Sequence, residues 1–271
     1  RPDSISKANI KRYRRYGVTR IQIGIQHYDD DILRKVNREC YTKDTIKAIR
    51  LLKQAGLKVV CHLMPDLPGS TPELDQWMFQ QALDNPDLRF DDVKIYPTAV
   101  CKSSDPERIV RSKIADWYKD GSYVPYAETD LPSLIKVIAY YMANVQPWVR
   151  VPRIIRDIPN TYISHGNRDG HLREVIDRAN PDSQEIRLRE IRRTKLTELG
   201  HDGAIVQKMT SGEEGNYFIR VGELQLPEKK SLLSSLQESL SPDGINELSF
   251  DLVSPIVASE TVLNAFYAVL A

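Results

Sequence analysis

The chain has 271 residues, 41% of them hydrophobic and 28% charged, enough to bury a core in one large domain or two modest ones. No run of about 18 apolar residues occurs, and the opening stretch RPDSISKANIKRYRRYG lacks the apolar centre of a signal peptide, so no membrane association is expected and the setting reads as cytoplasmic or nuclear. The net charge of +1 is unevenly spread: residues 1–195 hold 34 Lys and Arg against 26 acidic residues, and residues 196–271 hold 4 against 11. A basic body of this kind suits a polyanion, and the acidic tail has a separate role or serves solubility.

In chain order, GVTRIQIGIQ (17–26) is short and β-branched and predicts a buried strand. TKDTIKAIRLLKQAG (42–56) has apolar residues in helical spacing, Thr42 as N-cap and Gly56 as stop. LKVVCHLMP (57–65) predicts a second strand, TPELDQWMFQQALDN (71–85) a helix with Pro in its first turn, and DVKIYP (92–97) a third strand. Apolar strands alternating with helices argue for a parallel α/β sheet, barrel or doubly wound, in which ligands gather at the carboxyl ends of strands. Helices are then expected over 106–121 and 130–145, basic segments over 147–159 and 185–195, and a strand or two within 216–226. An amphipathic helix near 230–240 and an apolar one near 256–270 complete the chain.

HLMPDLPG (62–69) sets Asp66 between two prolines at the end of an apolar strand. Pro and Gly restrict that backbone, so the carboxylate is either held toward a ligand or merely caps a turn. His62 is either a packed imidazole or a site residue. Gln22 and Gln26 lie within an apolar strand, where a buried amide needs a structural partner or a ligand. Lys94 and Tyr96, two apart on a strand, share a face; they reach into a barrel lumen, or Lys94 snorkels and Tyr96 packs. Arg150, Arg153 and Arg156 beside Trp148, with Arg187, Arg189, Arg192 and Arg193, form either a phosphate-binding ridge or a solvated face paired with Glu185, Glu190 and Asp157. Cys40, Cys61 and Cys101 are 21 and 40 residues apart, which fits neither a disulfide framework nor a CxxC site. No phosphate-cradling Gly loop, HExxH or GxSxG is present.

The ordered set RPDSISKANIKRYRRYGVTRIQIGIQHYDDDILRKVNRE, GLKVVCHLMPDLPG, DVKIYPT, WYKDGSY, RVPRIIRDIP and EIRLREI closely resembles the Elongator catalytic subunit family over roughly residues 1–195. The resemblance implies an α/β fold: the second half of a radical S-adenosylmethionine barrel with parallel strands (1–145), a helical basic linker (146–200), and a short partial or diverged acetyltransferase-like segment (201–271). It implies an enzyme that carboxymethylates carbon 5 of the tRNA wobble uridine, using acetyl-CoA and a radical derived from S-adenosylmethionine. By the same resemblance Gln22, Gln26 and His62 lie near S-adenosylmethionine, Lys94, Tyr96 and Asp66 serve catalysis, and the Arg-rich segments grip tRNA. The implied partners are tRNA and either other Elongator subunits or a second copy of the chain.

Three departures temper the implication. The [4Fe–4S] ligands of that family, cysteines in CxxxCxxC spacing, are not in this chain, and the three cysteines present cannot replace them. Where the family reads NRGH this chain reads NREC (37–40), and no coenzyme A pyrophosphate turn is evident in the tail. The rival reading is a non-catalytic tRNA-binding or scaffold paralogue without the cluster, and a third is a barrel enzyme of the same superfamily acting on another substrate.

Overall fold

A computed structural model describes residues 1–101, 112–156, 158–180, 183–198, 205–208, 217–221 and 226–240. Two compact units divide the chain, Arg1–Arg192 and Arg193–Ala271.

In the first unit, α1 (Lys7–Arg15) starts where the Ser6 hydroxyl accepts the Asn9 N–H, and it leads into β1 (Arg20–Gln26). Next come α2 (Asp30–Lys35) and α3 (Thr42–Gln54). The start of α3 lies one residue earlier than the Thr42 cap expected: Tyr41 precedes the helix and its N–H donates to the Asp44 carboxylate at 3.0 Å. Thr42 spends its hydroxyl on the Tyr28 carbonyl instead. β2 (Lys58–Leu63) follows Gly56, whose φ of +67° permits the sharp exit from α3. Then come α4 (Pro72–Asp84), capped by Thr71 with Pro at its first turn, β3 (Asp92–Ile95) and β4 (Ala99–Cys101). The remainder of this unit is α5 (Lys113–Lys119), α6 (Tyr126–Thr129), α7 (Leu131–Asn144), β5 (Arg150–Arg153), β6 (Ile163–Gly166), α8 (Leu172–Ala179) and the start of α9 (Ile186–Glu198). The part of the expected 106–121 helix before Ser112 lies outside the described residues.

The main sheet has the order β1-β2-β3-β5, parallel throughout. Parallel pairing requires crossovers, which α3, α4 and α7 supply. One face of the sheet is apolar: Ile23, Ile25, Val59, Cys61, Leu63, Val93, Ile95 and Val151 are nearly inaccessible and belong to one core with Ala48, Leu52, Met78, Phe79, Ile138 and Tyr141 from the helices. Each large side chain buried there contributes about 1.5–3 kcal/mol. Because side chains alternate along a strand, the residues between these point the other way, toward the polar face described below.

Residues 150–153, read from sequence as part of a linker, join this sheet as β5. Their basic character hid the strand, but Val151 alone is buried, and the flanking Arg150 and Arg153 are carried by backbone pairing with β3. β4 and β6 form a separate antiparallel pair.

In the second unit, β7 (Ile205–Lys208) and β8 (Tyr217–Arg220) pair antiparallel, and α10 (Leu226–Leu240) covers the expected 230–240 helix. The expected helix at 256–270 lies outside the described residues. Among those described, no helix is long and apolar enough to cross a membrane.

Candidate functional site

Strand register assembles the polar face. Gly24 pairs with His62, His62 with Lys94, and Lys94 with Arg153, so these four lie in one row across β1, β2, β3 and β5. A register shift in β5 between the partners of Asp92 and Lys94 inserts one extra residue, which keeps Arg150 and Arg153 on the same face despite their spacing of three. The Gln22 amide, one step toward the amino end on that face, joins the row. Its Oε1 accepts from Lys94 Nζ at 2.9 Å and lies 3.1 Å from His62 Nε2. Burial, then the positive charges of Lys94 and of Arg156, hold His62 below its usual pKa, so the ring is neutral at pH 7 and Nε2–H donates to the amide. Tyr96 sets its ring edge-on to His62, centroids 5.4 Å apart. Gln22, His62, Lys94 and Tyr96, nominated separately by sequence, therefore form one cluster.

At the carboxyl end of β1 the pairing slips between Gly24 and Gln26, and Gln26 has φ +80°, a conformation costly for any residue but glycine. Its side chain folds back over Gly24: a Cβ on Gly24 would stand 2.7 Å from Gln26 Nε2 and 3.0 Å from Arg38 Nη2. Arg38 donates to the Gly24 carbonyl at 2.6 Å, and its buried Nε has no hydrogen-bond partner. Burial lowers the guanidinium's pKa from its ordinary value, though not far enough to discharge it. Arg38 was not among the residues nominated from sequence. The signal was local: Asn37 and Glu39 on either side of it have φ of +53° and +50°, a contorted segment that sets the guanidinium beside β1, and the resembled family carries Gly where Glu39 stands.

Asp66 faces away from this cluster. It is 1% exposed, and its carboxylate accepts the backbone N–H groups of Tyr126 at 2.8 Å and Ala127 at 3.0 Å, at the start of α6. Tyr123 donates its hydroxyl to the Asp66 carbonyl at 2.6 Å. Buried Asp75 accepts from the Asp66 N–H at 2.6 Å, the Ser70 hydroxyl at 2.5 Å and the Tyr126 hydroxyl at 2.7 Å, with His27 Nε2 at 3.3 Å. Desolvation pushes Asp66 up to about 7, against the two N–H donors that pull it down. Its φ of +65° is held by this clamp. The carboxylate to which the family resemblance gives a catalytic role has positioning contacts here: it fixes the loop that follows His62.

The arginines part company in the same way. Arg150 forms a bidentate pair with Glu190, both bonds 2.7 Å. Arg187 donates to the Pro152 carbonyl, Arg189 to the Pro147 carbonyl and Arg192 to the Ser183 carbonyl. The first three hold α9 against β5 and the turn before it, and Arg192 ties α9 to the segment that leads into it, in place of the continuous open ridge expected. Arg153 and Arg156 are exposed at the polar face, and Trp148 is 56% exposed. The Arg193 side chain lies outside the described residues. Underneath, Glu185 is fully buried and accepts from Val151 N, Arg187 N, Leu188 N and Arg173 Nη2.

The cluster offers an ammonium, guanidinium groups, a neutral imidazole and two amides, a donor-rich set suited to a ligand with a carboxylate and hydroxyls, as S-adenosylmethionine has. An iron–sulfur cluster does not fit these residues. Cys61 lies on the apolar face with its thiol pushed far above the ordinary value by burial, and Cys40 is raised by burial too. Among the described residues, no group of three His, Cys, Asp or Glu could hold a metal ion.

Residues 1–78 match the Radical SAM superfamily, and residues 90–180 match the Radical_SAM C-terminal domain. The chain is 39% identical over 176 residues to a tRNA uridine(34) acetyltransferase of Methanocaldococcus infernus, covering 65% of this chain and 31% of that protein. It is 37% identical over 193 residues to one of Dehalococcoides mccartyi (70% and 40%), and 37% identical over 175 residues to human Elongator complex protein 3 (65% and 30%). The chain thus spans about a third of the length of these curated relatives. The solved structure of Methanocaldococcus infernus Elp3 with residues 1–46 deleted superimposes with TM-score 0.65 at 33% identity, covering 80% of this chain and 50% of that one. The family combines S-adenosylmethionine with a [4Fe–4S] cluster, and with its parallel half-barrel and polar strand row this chain belongs to the radical SAM superfamily, among the relatives of tRNA uridine(34) acetyltransferases and Elongator complex protein 3.

Proposed function

We propose that this chain is the ligand-holding wall and part of the RNA grip of a tRNA-modifying radical SAM enzyme that acts on the wobble uridine. The row Gly24, His62, Lys94 and Arg153, capped by Gln22, carries the reading, because strand register brings chemistry-bearing residues scattered over 130 positions onto one open face. Bound S-adenosylmethionine supplies hydrogen-abstracting radical chemistry in this family. The chain's own residues do the rest of what is assigned here. Gln22 and neutral His62 donate to and accept from ligand hydroxyls. Arg38 and Lys94 offer positive charge to a carboxylate or phosphate. Tyr96 braces His62, and Asp66 holds the loop behind it. Gly24 leaves the room that a ligand needs against β1.

Arg153 and Arg156 extend the positive charge outward from the cluster toward RNA phosphates, with Trp148 as a stacking surface. The complete reaction, in which acetyl-CoA supplies the carbon that becomes a carboxymethyl group at uridine C5, needs the cluster ligands and the coenzyme A site from protein beyond these residues. Other Elongator subunits or a second copy of the chain are the partners assigned to it.

The test is equilibrium binding of S-adenosylhomocysteine to a protein that joins this chain to the cluster-binding segment. Lys94→Met and Gln22→Ala are each expected to weaken binding by at least about tenfold, the loss of one or two hydrogen bonds to a charged ligand. Unchanged affinity in both would remove the polar row from the ligand site.

A further inference from the structure

We propose a second nucleic-acid contact, on α1, beside the amino end of β1 and away from Gln26 and Arg38 at its carboxyl end; it rests on the reading of this protein as an RNA-binding enzyme. Helix α1, KANIKRYRR, contains five cations and no acidic residue. Lys7, Lys11, Arg12, Arg14 and Arg15 are all exposed. Among the described residues none of them is ion-paired, whereas nearby Arg20 is tied to Asp92 at 3.1 Å, Arg50 to Asp87 at 3.3 Å and Lys53 to Asp91 at 2.7 Å. One cation in the last turn would offset the helix dipole; three stand there, Arg12, Arg14 and Arg15, at the cost of mutual repulsion.

Helical spacing arranges them usefully. Lys7, Lys11, Arg14 and Arg15 lie three or four positions apart along one side, with neighbouring Cβ atoms about 5–6 Å apart. Arg12 stands one turn from Tyr16, which is 77% exposed, so guanidinium and aromatic surface alternate as they do where phosphates and bases are bound together. Between α1 and α3 lies a hollow of about 270 Å³ lined by Lys7, Ile10, Lys11, Leu51, Gln54 and Ala55, an apolar floor beside two of the cations.

The chemistry favours RNA over a lipid surface. A helix that lies on a bilayer keeps an apolar stripe free to enter it, whereas Ile10 of α1 is buried in the core. Arginine outnumbers lysine in the last turn, which suits bidentate phosphate contacts. The chain leaves α1 at the amino end of β1, and Gln26 and Arg38 stand at the carboxyl end, about 20 Å away along the strand. An RNA presenting one base to the cluster would therefore meet α1 with a different part of its backbone.

The test measures binding of an unmodified tRNA transcript to this chain over a series of salt concentrations. Arg12→Ala, Arg14→Ala and Arg15→Ala combined should flatten the salt dependence by about two logarithmic units per decade and weaken low-salt binding roughly 10–100-fold. Lysine at the same three positions should restore the slope, and Tyr16→Ala should weaken binding with the slope unchanged. If the triple alanine variant keeps the parental slope while Arg153→Ala with Arg156→Ala loses it, the α1 contact is wrong and the RNA-binding reading stands. If the parent chain ignores tRNA, whether or not it binds phosphatidylserine vesicles, both are overturned.

Discussion

Lys94 donates from Nζ to Oε1 of Gln22 at 2.9 Å, across 72 residues of chain and the whole width of β2. The same oxygen accepts a hydrogen bond from His62 Nε2–H, so one amide keeps a cation beside a neutral imidazole.

His62 should titrate below its ordinary 6.5, and Lys94→Met should bring it back upward, because a positive neighbour is removed. The depressed pKa means that the folded state binds fewer protons than the unfolded one near pH 6, so this group's contribution to stability grows as pH rises through that range and is lost on acidification. The imidazole proton resonance that disappears in His62→Gln identifies it among five histidines. A midpoint at or above 6.5 in the parent chain contradicts the geometry.

Gly24→Ala should fold and yet bind S-adenosylhomocysteine at least about tenfold more weakly in the cluster-containing protein. The new methyl meets only the ends of two flexible side chains, Gln26 and Arg38, so they move and the strand does not. Loss of folding cooperativity in urea, or parental affinity, would count against the crowded polar end of β1.

Asp66 gives the opposite pH dependence. Its carboxyl titrates near 7 when folded against 3.8 in its ordinary state, so the folded chain holds an extra proton between those values. Stability from this position therefore falls as pH rises from about 4 to about 7, by at most a few kcal/mol. Asp66→Asn removes that slope. Urea unfolding at pH 5 and pH 8 should show the variant gaining on the parent at the higher pH; a constant gap would mean that the carboxylate is ionised throughout.

Glu185→Ala should destabilise by about 3–5 kcal/mol, since it leaves Arg173, a largely buried guanidinium, and three backbone N–H groups short of an acceptor. A shift of the urea midpoint smaller than about 1 kcal/mol equivalent would show that water takes the place of the carboxylate.

The parallel core was legible because its strands are apolar enough to show on one face what the other conceals. Ile23, Ile25, Val59 and Leu63 announce β1 and β2, and the amphipathic spacing of α3 and α4 separates them. β5 was hidden because Arg150 and Arg153 flank one apolar residue, and a four-residue strand with a shifted register has no period to detect. The cluster was legible as residue types. Its geometry was not, since no local pattern says that Gln22 lies opposite Lys94. Asp66 stayed open to two readings for a physical reason: a carboxylate at a strand end looks the same in sequence whether its acceptors' partners are ligand atoms or backbone amides 60 residues away. Arg38 escaped notice because its partner, the Gly24 carbonyl, is a backbone group placed by tertiary structure, and Glu185, read as a partner on a solvated face, is instead buried among backbone N–H groups and Arg173.

The clamp on Asp66 also sets an order of events on the ribosome. Gln22, His62 and Lys94 can meet as soon as β3 has emerged. The loop after β2 must wait for the Tyr123 hydroxyl and the Tyr126 and Ala127 amides, contacts that span 57 to 61 residues. Until those arrive, Asp66 and Asp75 are two solvated acids next to each other, and the loop between Pro65 and Gly69 is free to swing. A nascent chain stalled before residue 123 would carry Gln22, His62 and Lys94 with an unlatched rim, before Arg153 can complete the row, and a protease should cut it there and spare the finished protein.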